Sequence, residues 1–125
     1  MKAILDAGAL VAIDRCDREV GAKLRVYQRH RVPVGTSSAV VAQVWRDGAR
    51  QANLARVLRG VASEPLDETV ERQVGELLGS ARTSDVVDAH IALIANDGDD
   101  VLTGDADDIR HLLDARNVAA GIVAV

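Results

Sequence analysis

Short apolar runs of strand length alternate with longer blocks of helical period along this chain, and that alternation limits its fold more than any other feature. "KAIL", "VPVGTS", "DDVLTG" and "AAGIVAV" are the strand-like runs. A strand buried on both faces loses the apolar–polar alternation of a half-exposed one and reads as a short apolar block. The blocks between them have the other period. "GALVAIDRC" and "REVGAKLRVYQRH" set Leu10, Ile13, Val20, Leu24 and Tyr27 at helical spacing. "SSAVVAQVWRDGARQANLARVLRGV" reads as helical on both sides of Gly48. "DETVERQVGELLGSA" puts Val70, Val74, Leu77 and Leu78 on one face of a predicted helix. "SDVVDAHIALIA" and "DADDIRHLLDARN" are two more predicted helices. Strands that alternate with helices imply an α/β fold with a central parallel sheet covered on both faces.

Composition narrows the core and the compartment. Apolar residues make up 48% of the chain and aromatic ones 2%, so the core must be built from Val, Leu, Ile and Ala. Cys16 is the one cysteine, which excludes an internal disulfide framework and a cysteine-rich zinc site. It fits a reducing compartment. No apolar run approaches the roughly 20 residues of a membrane helix. Asp6 interrupts the first apolar run, where a signal peptide would carry no carboxylate. The expectation is a soluble, cytoplasmic protein with no membrane partner. The formal net charge of −4 does not suggest a nucleic-acid binder by bulk charge. Two arginine clusters, Arg25, Arg29 and Arg31 with His30, and Arg46, Arg50, Arg56 and Arg59, read as solvated helix faces.

The aspartates carry the functional question. In a parallel sheet, ligands gather beyond the carboxyl ends of the strands. Asp6 ends the first predicted strand and Asp105 lies just past "DDVLTG", so two carboxylates from separate strands point to one edge. Asp85 and Asp88 are three apart at a helix start and share a face. Several carboxylates in one pocket cannot all stay ionised without a cation, and oxygen-only ligands select Mg²⁺ or Mn²⁺ over zinc. Each acid also has a plainer role. Asp6 is a good N-cap, and Asp85 with Asp88, or Asp105 with Asp108, fits a cap followed by an acid that favours the helix dipole. Asp14, Asp17, Asp97, Asp99, Asp100 and Asp114 are expected to face solvent or lie in loops.

Four segments in order, "AILDAGALVAI", "SSAVVAQVWRDGARQA", "SDVVDAHIALIA" and "VLTGDADDI", resemble the PIN-domain nucleases. More narrowly, they resemble the VapC toxins of bacterial type II toxin–antitoxin systems. The resemblance spans essentially the whole chain. It implies a PIN-like three-layer fold over residues 1–125 as a single domain, with Mg²⁺ or Mn²⁺ held by acidic residues to hydrolyse RNA. Asp6 matches the acid after the first strand, Asp88 the acid inside the later helix and Asp105 the acid after the following strand. Asp107 or Asp108 matches a less regular acid beyond it. The resemblance also implies a cognate VapB-like antitoxin, and homodimerisation is common in the family. In that frame Thr103 is a candidate to position water or a phosphate oxygen, or else a buried strand threonine bonded to backbone. Ser37 and Ser38 contact substrate or cap the next helix. Arg46, Arg50 and Arg82 are candidates to hold RNA phosphates at the rim. His90 and His111 have no serine or cysteine nucleophile in register and receive no catalytic role.

One position departs from the pattern. The family usually has Glu in the helix after the second strand, where this chain has Gln43. Gln is a neutral ligand and cannot act as a base. Asp47, four residues on, would lie one turn along the same face and partly replace the missing charge; otherwise it is an exposed charge ending the helix. Three rival readings remain. A phosphoacceptor receiver domain needs a late lysine beside its acids, and this chain has only Lys2 and Lys23. A PIN-like fold reduced to a binding module is kept open by Gln43. A purely structural α/β domain predicts no metal binding.

Overall fold

The computed structural model describes residues 1–125. Its elements run β1 (Ala3–Leu5), α1 (Ala7–Asp14), α2 (Arg18–Arg29), β2 (Val34–Ser37), α3 (Ser38–Val44), α4 (Ala52–Leu58), β3 (Ala62–Glu64), α5 (Glu68–Ala81), α6 (Val86–Ile94), β4 (Asp100–Thr103), α7 (Ala106–Ala115) and β5 (Gly121–Ala124). The sheet is wholly parallel in the order β3-β2-β1-β4-β5. The central strands are the apolar blocks of the sequence: every residue of β1 and β2 is buried, and so are Val101, Leu102 and Thr103 of β4.

The strand order places the ligand edge. The chain winds outward from β1 through β2 to β3, then returns to the other side of β1 to form β4 and β5. That reversal makes the gap beyond the carboxyl ends of β1 and β4 the topological switch point, where the loops diverge and leave a crevice. Right-handed crossovers put the helices before the reversal on one face and those after it on the other. Accordingly α1 packs on α2, α3 and α4, while α5, α6 and α7 pack on one another. The core is aliphatic, with Ile4, Leu5, Leu10, Leu54, Ile91, Leu102, Ile109, Leu112 and Leu113 fully buried. No helix is long and apolar enough to cross a membrane.

The sequence reading lacks one strand, β3. Its three residues are all exposed, so it has no apolar signature and exists only by pairing with β2, Gly35 opposite Ala62 and Ser37 opposite Glu64. Helices lie on both sides of Gly48, as the sequence suggests, and residues 45–51 between them are not helical. α3 stops at Val44 because Gln51 offers its backbone another partner. The Gln51 Oε1 accepts from the N–H groups of Arg46 (2.7 Å) and Asp47 (3.0 Å), and its Nε2 donates to the Val44 carbonyl (2.9 Å). A buried amide that satisfies three groups at a helix end removes the incentive to continue the helix.

Candidate metal centre at the carboxyl edge

Capping accounts for most of the aspartates at helix starts, as the cap preferences require. Asp6 accepts from Ala9 N–H (3.0 Å), Asp17 from Val20, Asp67 from Val70 and Asp85 from Asp88 (2.9 Å). Asp105 is the exception. It occupies the N-cap position of α7 but makes no side-chain cap hydrogen bond. Its own N–H is instead held by the Thr103 hydroxyl at 2.8 Å, which leaves the Asp105 carboxylate free. Carboxylate oxygens of Asp88, Asp105 and Asp108 all lie within 4.8 Å of one another. Three anionic groups at that separation repel strongly unless a cation or protons sit between them.

Asp6 forms the buried wall behind this trio. It is 3% exposed, and its second oxygen accepts from Gly104 N–H at 3.2 Å. Burial pushes its pKa above the ordinary carboxylate value, against hydrogen bonds from the Thr103 side chain and from the N–H groups of Ala9, Gly104 and Gly8. Asp88 is pushed up to about 7, first by burial and then by the negative charges of Asp85, Asp105, Asp6 and Asp108. Asp88 therefore feels all the acids of this edge. Two glycines let the wall close. A Cβ on Gly8 would lie 2.8 Å from Gly104 N and 2.9 Å from Gly104 Cα, so the start of α1 and the turn after β4 approach as bare backbone.

The donor set suits a hard divalent cation. It is all carboxylate oxygen, partly exposed, and carries more negative charge than its surroundings compensate. Asp107, in the first turn of α7, is exposed and outside the trio, so Asp108 is the acid that joins Asp105. Thr103 is fully buried and its hydroxyl is engaged by Asp105 N–H and Asp6. Its place is to fix the turn between the two acids, in place of the contact with water or phosphate that the sequence allowed. Ser37 caps α3 through Ala39 N–H.

The other candidates are exposed. Gln43 is exposed on α3. Asp47 does not share its face, because α3 has already ended. The Asp47 carboxylate bonds to Ala49 N–H and lies 3.8 Å from Arg50, and it is not among the charges that act on Asp88. The compensation expected of Asp47 is thus corrected. Arg46 folds back on the carbonyls of Ala42 and Trp45, Arg50 is exposed beside Asp47, and Arg82 is the exposed left-handed C-cap of α5.

His90 also needs correction, since it does have a serine partner. Its Nδ1 lies 2.6 Å from the Ser37 Oγ. Both residues are buried, burial lowers the His90 pKa, and Ser37 is committed to its cap. The pair ties α6 to β2 and leaves the hydroxyl no path to a substrate. No signal along the sequence pairs positions 53 apart. Asp99 lies in a loop, one of the two places the sequence allowed, and is 4% exposed there.

Comparison with solved structures places the architecture. VapBC2 from Rickettsia felis, determined bound to a DNA fragment from its promoter, contains a chain that matches with a TM-score of 0.69 at 15% identity, covering 98% of this chain and 99% of that one. A chain of FitAB bound to an IR36 DNA fragment matches with a TM-score of 0.60 at 15% identity over 96% and 94%. A chain of FitAcB from Neisseria gonorrhoeae matches with a TM-score of 0.58 at 17% identity over 95% and 96%. The fold is PIN-like. No protein-family model matches the sequence, and no curated protein matches it by sequence. The likeness therefore lies in the fold.

Proposed function

We propose that this chain is a Mg²⁺- or Mn²⁺-dependent endoribonuclease, the toxin of a type II toxin–antitoxin pair. The observation that carries the reading is the convergence of Asp88, Asp105 and Asp108 at the switch point, with Asp6 buried behind them. Asp88, Asp105 and Asp108 would hold the ion, and Asp6 would add its charge from the wall. When bound there, such an ion polarises a phosphodiester oxygen and lowers the pKa of water. The chain's own part is to set the carboxylates in place. Thr103 and the Gly8–Gly104 contact fix the turn that carries Asp105. Asp85, as cap of α6, fixes the helix start that carries Asp88. Asp88, with a pKa near 7, holds a proton on part of the molecules at neutral pH and releases it as positive charge arrives.

The resemblance of the motifs to VapC toxins, together with the shared fold, supports a VapB-like antitoxin as partner. Residues 1–125 would act as one domain in the cytoplasm, and a homodimer fits the family habit. The test is cleavage of single-stranded RNA with and without Mn²⁺, with Asp105→Asn as the variant. Cleavage that needs the metal and falls with Asp105→Asn supports the reading; wild-type cleavage by Asp105→Asn overturns it. A second reading, a PIN-like binding module with weakened catalysis, is favoured by the neutral Gln43 and by the absence of Asp47 from the charges that act on Asp88. It predicts RNA binding without cleavage at any Mn²⁺ concentration.

A further inference from the structure

Charge is divided unevenly along this chain. Ten of its 15 Lys and Arg residues, but three of its 19 Asp and Glu residues, lie between positions 15 and 59. That stretch builds α2, α3 and α4. Of the acids of the candidate metal centre, Asp88 lies on α6, Asp108 on α7 and Asp105 just before α7, while Asp6 caps α1. Within the basic layer is a cleft of about 410 Å³, whose walls include Arg18 and Arg25 from α2 and Arg56 from α4, over Ile13, Leu24 and Val57. All three arginines are exposed and none is in an ion pair; the three ion pairs of the chain lie elsewhere. Arg56 bonds only to the neutral Asn53 amide. Asp17, the one acid on the cleft wall, has a carboxylate oxygen occupied in capping α2.

We infer that this cleft is an RNA-anchoring site, in which Arg18, Arg25 and Arg56 hold phosphates of the strand whose scissile bond lies at the carboxylates. The inference rests on the ribonuclease reading and adds to it the place where substrate is gripped. Helix α1 links the two sites. Its N-cap is Asp6, at the acidic edge, and its C-terminal end supplies Ile13 to the cleft. An eight-residue helix is about 12 Å long, a distance that a few nucleotides span. Arg18 and Arg25 are two turns apart on one face of α2, with Arg56 across from them, so they present cations in a row and not as a single point. A phosphodiester strand is a row of charges and suits that spacing. The need for such an anchor follows from the other site, since clustered carboxylates repel RNA. Guanidinium groups supply affinity from the phosphates and leave sequence choice to other contacts.

The test uses a labelled single-stranded RNA of about a dozen nucleotides, within the usual site size of such binders. Binding is followed by fluorescence anisotropy in EDTA across a salt series, so that no cleavage occurs. Arg18→Ala/Arg25→Ala/Arg56→Ala should weaken binding at least about tenfold and flatten the salt dependence by about two charges, from the loss of counterion release at single-strand phosphates. Arg72→Ala/Arg110→Ala, on the acidic layer, should leave both unchanged. Circular dichroism and a thermal melt confirm that the triple variant folds; if it does not, the three Arg→Gln changes taken singly must each weaken binding by a smaller factor. Unchanged affinity and salt slope in folded variants would overturn the inference. So would a poly-glutamate peptide that binds wild type more tightly than RNA and loses that binding in the triple variant, which would assign the cleft to an acidic protein segment. Cleavage measured in parallel with Mn²⁺ separates the two ideas. RNA held by the arginines but never cut removes the nuclease reading and leaves the anchor, whereas RNA cut normally by the triple variant removes the anchor and leaves the nuclease.

Discussion

Asp6 and Asp99 are both almost completely buried, one at each edge of the sheet, and their environments differ in kind. Asp99, at the amino edge before β4, accepts from the N–H groups of Lys2 (2.8 Å) and Asn96 (2.8 Å) and lies 3.3 Å from the Lys2 ammonium. Its pKa is lowered: burial opposes ionisation, but the two N–H donors and the Lys2 charge outweigh it. Asp6, at the carboxyl edge, has backbone donors too, yet burial wins and its pKa is raised. The difference is a cation. The amino edge contains its own counter-charge, and the carboxyl edge collects Asp6, Asp88, Asp105 and Asp108 with none. A structural acid is neutralised by the fold; a site acid is left for something else to neutralise.

Removing the compensated acid should have the largest effect. Asp99→Ala orphans two backbone donors and the Lys2 ammonium, and should destabilise the protein by about 2–4 kcal/mol, read as a lower urea midpoint. If Asp99→Ala melts like wild type, the contrast between the edges is wrong. Removing an uncompensated acid should do the reverse. Asp88→Asn or Asp105→Asn should lower Mn²⁺-dependent RNA cleavage at least about tenfold while leaving the metal-free fold intact. Asp105→Asn is the cleaner probe because Asp105 makes no cap bond. Asp6→Asn should also lose activity, but it turns an amide against Gly104 N–H or Ala9 N–H.

The two edges should also oppose one another in pH. Asp99 titrates lower in the folded chain than unfolded, so its contribution is present above the unfolded value near 4 and is lost as pH falls through the folded value. Asp88 titrates at about 7 when folded. Its favourable, protonated state is fully available below about 4, and the stability it gives declines as pH rises through 7. Metal-free stability should therefore drop by about 1–2 kcal/mol between pH 4 and 8, after discounting for solvent screening of a half-buried group. Asp88→Asn should remove that decline, and millimolar Mn²⁺ should reverse it by mass action. A decline that persists in Asp88→Asn would place its origin elsewhere. The smallest effect is expected at Asp47. Asp47→Asn should leave the Mn²⁺ midpoint unmoved and stability within about 0.5 kcal/mol of wild type, whether or not Gln43→Glu is present. Non-additivity of those two changes would bring Asp47 back into the site.

The parts of this protein that depend on local pattern were legible in the sequence. The three buried strands read as apolar blocks because a parallel strand is covered on both faces. The switch-point position of Asp6 and Asp105 followed from where those blocks end. The edge strand β3 was not legible, because its only reason to exist is the backbone of β2. Nor was the end of α3 at Val44, which depends on Gln51 reaching back from the next helix. Without it, Asp47 looked like a neighbour of Gln43. The sequence placed Asp99 in solvent or in a loop and did not show its burial, since nothing near it in the chain shows that Lys2, 97 positions away, supplies two of its partners.

What the sequence determined by itself is therefore the period of each element, the aliphatic core, and the presence of acids where strands and helices meet. Those follow from side chain and backbone over a few residues. What only the tertiary structure decided is which acids keep their charge compensated. Asp99 and Asp105 are the same residue type, each in a loop beside β4. One lies against Lys2 and the other against Asp88 and Asp108. Charge interactions act through space and fall off over a few ångströms of protein rather than along the chain, so the sheet order, by bringing the ends of β1 and β4 together, set Asp99 beside a cation at one edge and left the acids of the other short of one.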